Sequence, residues 1–492
     1  MQRSILRQKL SAFSRESSGS VLMFFGLALM GIFLIVGLVL DYGRALSAKS
    51  VLNTATDAAA LAALSAAQAD YIANASASQM MTDAQAAAQR AFVANAGRSY
   101  NILNGAPTIT VQRNGQVITT NVSYQARSPN LFGSLANVAN MNLSHSASSA
   151  LTLPSYLNFY LLLDVSASMG IPSTDTEINR LATINPDYRN RFSGFPGYVG
   201  GCTIACHFTA YKACQNAAID NPNQAAPAAV YCQGYNLTRN GGNAMNTPVT
   251  YCPTPGTSAC IQLRLDAVAY ATQQLIQTAI DTEASDHIPN QFGVGLYPFV
   301  RWMQPFQALS TNLTTVKNAA AGLTALIDNG NGSSTVNLPT SGLGSGGTHF
   351  ENALPSMNTT ITTVGDGSSA TSPRPFVFMV TDGAQNNQYQ QNNGSWSGSN
   401  NATTLDTTNC TTIKNRGITL AVLYVPYVPI PNPTTIWNDE DHAANNNIQY
   451  IEPSLKSCAS PNFYFKASTP QDIANAMQAM FKMAVATAHL TQ

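Results

Sequence analysis

From Val21 to Leu40 the chain runs apolar without a single charged residue, VLMFFGLALMGIFLIVGLVL. About 20 such residues, rising about 1.5 Å each as a helix, cross a bilayer core. We read residues 21–40 as a transmembrane helix. A cleavable signal would have a shorter apolar region and small residues after it, whereas Asp41, Tyr42, Gly43 and Arg44 follow here, so the segment reads as a retained anchor. From Asp41 the pattern stays helical without a break, rich in Ala, Leu, Ser and Thr, to about residues 95–97. Alanine is the best helix former, so the run continues the anchor outward. Leu52, Leu61 and Leu64 need a surface to bury them, which favours packing on the chain's own sheet over packing against another envelope protein. Past Gly105 the period changes to two: Ile109, Val111, Val117, Thr119 and Val122 around Asn114-Gly115 signal a hairpin. Met141–Thr152 adds a third strand, so residues 41–152 read as one long helix laid on a small antiparallel sheet.

Residues 153–492 alternate strands with helices. The stretch from Tyr156 to Gly170, YLNFYLLLDVSASMG, is apolar on both faces and ends in a carboxylate followed by two hydroxyls. This is the pattern of a central parallel strand covered by helices on both sides. The helix that should follow begins only at Arg264, with apolar residues at helical spacing in RLDAVAYATQQLIQTAI, so 171–261 reads as an insertion rich in Asn, Pro, Gly and Cys. Beyond it we expect a strand at Phe292–Val300, helices at Leu313–Ile327 and Phe350–Thr363, strands at Phe376–Thr381, Ile418–Val425 and Asn462–Phe465, and a closing helix at Pro470–Ala486. The polar stretch Gln385–Asn401 has no periodicity and reads as a mobile flap.

In open α/β sheets ligands collect outside the carboxyl ends of the strands. Asp164, Ser166 and Ser168 sit at such an end, and all three are hard oxygen donors suited to a divalent cation; the bland alternative is that they cap the next helix. Two later stretches complete a pattern. Gly346, Gly347 and Thr348 put a lone hydroxyl on a glycine loop ahead of a helix, and FVFMVTDG (Phe376–Gly383) repeats the strand-then-acid arrangement. Together these resemble the metal-ion-dependent adhesion site (MIDAS) of the von Willebrand factor A domain. That resemblance implies an α/β, doubly wound, mostly parallel sheet. It also implies that Asp164, Ser166, Ser168, Thr348 and Asp382 hold a divalent cation directly or through water, Mg²⁺ first and Mn²⁺ or Ca²⁺ as options, with one position left for a partner's carboxylate.

The opening stretch, Gly19-Ser20-Val21 through Leu40 and on through DYGRALSAKSVLNTATDAAALAAL, resembles the TadG-like proteins of tight-adherence (Flp-type) pilus assembly. That family joins such an anchor to a von Willebrand A-like domain, and residues 41–152 are pilin-like in arrangement. The implied function is a membrane-anchored adhesion or assembly module whose partners are pilus or envelope proteins presenting an acidic residue. The alternative is a structural scaffold or minor pilin whose A-like domain needs no metal. Pilin-type precursors carry Glu at the fifth position after the processing site, where this chain has Phe24, so we expect the anchor to stay uncut.

Charge and cysteine usage narrow the rest. Twenty-four basic residues balance 24 acidic ones in a chain of 492, and charged residues make up 10%; no field exists to attract nucleic acid. Arg3, Arg7, Lys9 and Arg15 precede the span against Glu16, so residues 1–20 form a cytoplasmic tail and everything beyond the anchor is extracytoplasmic, in a bacterium the periplasmic side of the inner membrane. All eight cysteines follow the span and six lie between Cys202 and Cys260, as expected of disulfides in an oxidising space. A c-type haem is disfavoured because three residues, not two, separate Cys202 from Cys206 before His207, and a zinc site is disfavoured by the compartment. Cys410 and Cys458 each precede a late strand and can pair. No G-x-S-x-G, H-E-x-x-H or G-x-x-x-x-G-K-[ST] occurs, His349 is expected to lack an orienting partner, and we read no catalytic residue, no small-molecule substrate and no enzyme.

Overall fold

The computed structural model describes residues 20–73, 75–178, 262–326, 342–344, 347–392, 396–399, 401–427, 429 and 440–490. The chain divides into two units, Met1–Leu153 and Pro154–Gln492.

In the first unit, helix α1 spans Ser20–Ile72 and helix α2 spans Ala77–Ala96. This corrects the single unbroken helix expected from the alanine pattern. Ser76 takes an extended backbone and accepts the Gln79 N–H at 3.2 Å, capping a new helix instead of continuing the old one. The reversal brings two alanine-rich helices together. Leu52, Ala59, Ala63 and Leu64 are buried on α1 and Ala84, Ala88 and Phe92 on α2, whereas Leu61 stays exposed. Strands β1 (Thr108–Asn114), β2 (Val117–Pro129) and β3 (Asn140–Thr152) form an antiparallel sheet in that order. Asn114 pairs with Val117, and Gly115 turns the chain at φ +60°. Alternate residues of β2 are buried, and Gln116 and Tyr124 tie the sheet to α1 through Tyr71 and Asn53, both at 2.9 Å.

The second unit is a mixed α/β unit built on a six-stranded sheet. Its strands are β4 (Leu157–Asp164), β5 (Phe292–Phe299), β6 (Gln307–Ser310), β7 (Arg374–Thr381), β12 (Thr419–Tyr424) and β13 (Tyr464–Lys466), in the spatial order β13-β12-β7-β4-β5-β6. All pairs are parallel except β5 with β6, an antiparallel edge strand that the sequence pattern did not mark. Alternation along β4 decides where the cores sit. Leu157, Phe159, Leu161 and Leu163 enter one core with helices α3 (Arg264–Asp286), α4 (Leu313–Ala320) and α8 (Pro470–Leu490). Tyr160 and Leu162 enter the other with α5 (Phe350–Thr360), α6 (Thr407–Asn415) and α7 (Glu440–Cys458). A strand buried on both faces needs no polar alternation, which is why β4 reads as one apolar run.

Helices α6 and α7 carry no strong apolar stripe and were not expected. Cys410 lies inside α6 and Cys458 ends α7, so both sit in helices and not merely ahead of strands; they form a disulfide. The stretch expected as a structureless flap instead holds two short ribbons, Gln385–Asn386 (β8) with Ala402–Thr403 (β11) and Tyr389–Gln390 (β9) with Trp396–Ser397 (β10). Pairings of two residues each are too short to show a period. The flanks of the expected insertion are stitched together: Arg264 N–H donates to Ile171 O, Ser173 N–H to Gln262 O and Gln262 N–H to Glu177 Oε2, each at 2.9 Å. Residues 179–261, with all six cysteines between 202 and 260, lie outside the described residues, as do residues 1–19.

Candidate metal centre

The parallel register brings the carboxyl ends of β4 and β7 side by side, with Leu163 opposite Val380. Asp164 is the last residue of β4 and Asp382 the first beyond β7, and both are fully buried. Asp164 is fixed at both oxygens. Its Oδ1 accepts the Ser166 N–H at 2.9 Å, and its Oδ2 accepts the Thr381 hydroxyl at 2.6 Å. The Ser166 and Ser168 hydroxyls lie 3.1 Å apart, and Ser168 stands near enough to Asp382 to favour its ionised form. Ser166 has extended backbone and opens a short 3₁₀ turn without a side-chain cap, so the cap reading of these residues does not describe Ser166. Asp382 Oδ1 accepts the Ala384 N–H at 3.4 Å, and Oδ2 is buried with no hydrogen-bond partner.

Two buried carboxylates this close cannot both ionise cheaply. Burial first, and the charge of Asp382 second, push Asp164 up to about 7. Burial also raises Asp382, opposed by the Ser168 hydroxyl and the Arg264 guanidinium. Arg264, at the start of α3, is itself buried and its pKa is lowered by that burial. One arginine against two acids leaves one negative charge over. Either a proton on Asp164 or a bound cation balances it.

Thr348 is buried at the start of α5. Its carbonyl accepts the Asn386 N–H at 2.9 Å, and the next N–H, of His349, donates to Val300 O at 2.9 Å. These bonds seat the loop against the segment that follows Asp382 and the one that follows Phe299, the residue paired with Asp164. Among the described residues the Thr348 hydroxyl makes no hydrogen bond to the other four side chains. Gly347 sits at φ +120°, and a Cβ there would meet Asn386 at 2.6 Å, so glycine allows the loop its approach. His349 corrects an expectation, since Glu351 Oε1 lies 2.5 Å from its Nδ1 and orients the ring. The ring is nonetheless fully buried.

Four of the five expected side chains, Asp164, Ser166, Ser168 and Asp382, therefore interact in one buried polar cluster. The donor set is two carboxylates with hydroxyls, which suits a hard cation that keeps water in its shell. No group of three or more His, Cys, Asp or Glu gathers among the described residues, so any ion here depends on hydroxyl oxygens. The orphaned Asp382 oxygen and the raised Asp164 are what a cation would relieve, so the residues fit. Sequence reasoning missed Thr381 and Arg264. Thr381 was legible as the residue before Asp382, but its aim at Asp164 depends on the strand register.

Residues 19–69 match the Tad family, described as Flp pilus-assembly TadE/G-like. No curated protein matches the chain. Among solved structures, the pilus adhesin SpaC from Lactobacillus rhamnosus GG is 11% identical over 77% of this chain and 34% of its own, with TM-score 0.33. The chain thus spans about a third of that adhesin's length. The PilB minor pilin from Streptococcus sanguinis is 10% identical over 77% of each chain, with TM-score 0.34. The vWF domain of the type V pili tip protein Mfa5 from Porphyromonas gingivalis is 10% identical over 68% of this chain and 96% of its own, with TM-score 0.32.

Proposed function

We propose, from an N-terminal segment that matches the TadE/G-like pilus-assembly family, that this chain is a non-enzymatic adhesion or assembly module of a tight-adherence pilus system. Its apolar helix anchors it in the bacterial inner membrane, with residues 1–20 cytoplasmic and the bulk extracytoplasmic. The helix is long enough to cross, and its most apolar stretch of 18 residues has a mean hydropathy of 2.7. Asp164, Ser166, Ser168, Thr348 and Asp382 would hold a divalent cation, Mg²⁺ first. When bound, the cation supplies a Lewis-acidic position for an acidic side chain of a pilus or envelope partner. The protein's part is to hold the donors: Thr381 and the Ser166 N–H fix Asp164, Ser168 orients Asp382, and the Gly347 turn seats Thr348. The buried, unpartnered Oδ2 of Asp382 carries this reading.

A second reading has an observation of its own. Arg264 acts on Asp382, and with Asp164 protonated the cluster is neutral without metal, as a scaffold or minor pilin would need. One titration separates the two. The full-length chain, stripped with EDTA, is followed by thermal melting as Mg²⁺, Mn²⁺ or Ca²⁺ is added, and crosslinked to envelope extract with and without the ion. A melting temperature that rises in the wild type and not in Asp164→Ala, together with ion-dependent crosslinks, supports the metal reading. No rise and unchanged crosslinks leave the scaffold.

A further inference from the structure

Where the apolar run of α1 ends, the 130–139 loop between β2 and β3 closes against it. Asp41, buried at the first position beyond that run, accepts three backbone N–H groups from the loop: Leu131 at 2.9 Å, Phe132 at 2.8 Å and Gly133 at 2.8 Å. Phe132 lies over Gly37, where any Cβ would collide with its ring. Gly37 is three residues inside the apolar end at Leu40, about 4.5 Å along the helix axis.

Several of the loop's other backbone groups pair within the loop. Phe132 O accepts the Leu135 N–H at 3.0 Å, Gly133 O the Val138 N–H at 2.9 Å and Leu131 O the Ser134 hydroxyl at 2.8 Å. Asn130 closes the base, donating from its backbone to Ala139 O at 2.9 Å and from its side chain to Val138 O at 3.0 Å. The loop's apolar side chains are largely exposed. Leu131 is 62% exposed, Leu135 76%, Val138 49% and Phe132 37%, and the segment NLFGSLANVAN contains no charged residue.

We infer that this loop is a second membrane contact, seated in the extracytoplasmic leaflet beside the anchor that Asp41 ties it to. Non-helical backbone sits against hydrocarbon at lowest cost where its polar groups are paired within the protein, and here Asp41 takes the three N–H groups of residues 131–133 while Asn130 takes the Val138 and Ala139 carbonyls. Continuity argues for lipid as the occupant: the exposed side chains adjoin the largely exposed apolar surface of α1, with Leu38 and Leu40 at the same level. Tyr42 and Arg44, both exposed just beyond, suit the headgroup layer. A two-point contact would fix the tilt and rotation of the extracytoplasmic part of the first unit relative to the membrane, which a lone helix leaves free. The inference rests on residues 21–40 being the membrane anchor.

The test places photo-leucine, one position at a time, at 135, at 29 within the anchor and at 148 on the solvent side of β3, in the full-length chain. The protein is reconstituted in phosphatidylethanolamine/phosphatidylglycerol vesicles, and adducts are read by mass spectrometry. Lipid adducts at 135 several-fold above those at 148, with adducts at 29, are expected. Adducts at 29 with position 135 no better than 148 overturn the inference and leave the anchor standing. Adducts at neither 29 nor 135 remove the anchor and the inference with it. Protein crosslinks in place of lipid adducts at 135 overturn it in favour of a second copy. In Asp41→Asn the lipid adducts at 135 are expected to fall several-fold with those at 29 unchanged; an unchanged yield at 135 overturns the role of Asp41.

Discussion

The hydroxyl of Thr381 donates to Oδ2 of Asp164 at 2.6 Å, joining the last residue of β7 to the last residue of β4 across 217 positions of sequence. The Thr381 Oγ1 also accepts the Gly383 N–H at 2.9 Å, so one side chain holds both the acid and the turn that carries Asp382. Thr381→Val keeps the shape and removes both bonds. It leaves a buried carboxylate oxygen and a buried N–H unpaired, a loss of about 1–3 kcal/mol for each group stranded. Urea unfolding should show a destabilisation of about 2–6 kcal/mol for the two groups together, and Thr381→Ser should recover most of it; a neutral Thr381→Val would contradict the arrangement.

The pH dependence of stability follows from the direction of the Asp164 shift. Its carboxyl is raised from an ordinary 3.8 to about 7, by burial and then by Asp382. The folded chain therefore holds a proton that the unfolded chain releases, and the stability it contributes is present below about pH 4 and lost as pH rises through about 7. Melting in EDTA should fall over that window more steeply in the wild type than in Asp164→Asn, which cannot titrate. Saturating Mg²⁺ should restore the wild type at pH 8 and do little at pH 5, because protons compete with metal for carboxylates. Parallel pH profiles in EDTA for the two proteins would rule this out.

Gly347→Ala tests whether the loop bearing Thr348 must approach Asn386. The added methyl meets Asn386 at 2.6 Å in a backbone with φ +120°, which a side chain tolerates poorly. The loop should move before the sheet does. We expect far-ultraviolet circular dichroism unchanged, a melting temperature lower by a few degrees and a weakened response to Mg²⁺; a full response would show that Thr348 is dispensable.

The Cys410–Cys458 disulfide closes a loop of 48 residues that includes β12 and most of α6 and α7. Loop-closure entropy alone gives about 4 kcal/mol for such a span, and measured values are often smaller. Reducing agent, or Cys410→Ala with Cys458→Ala, should lower stability by about 2–4 kcal/mol in denaturant unfolding. An unchanged midpoint would mean that packing around Ile413 and Leu455 suffices.

Residue order alone determined the long apolar helix over residues 21–40, the hairpin about Gly115, the start of α3 at Arg264 and the strands ending at Asp164 and Thr381, because each is written in a local period or an abrupt change of polarity. Such signals depend only on how neighbours along the chain share a face. The same signals failed where burial is set from elsewhere. Alanine marks helix but not where a helix turns back at Ser76, two-residue ribbons have no period, and α6 and α7 look polar because only a few of their side chains face the sheet. Tertiary structure alone decided that Thr381 meets Asp164, that Arg264 acts on Asp382, that Cys410 joins Cys458 and that Asp41 grips the 131–133 backbone. Each of these is a long-range contact whose energy comes from removing water around groups that the sequence places far apart, and only the packed register of strands and helices determines which groups lose their water together.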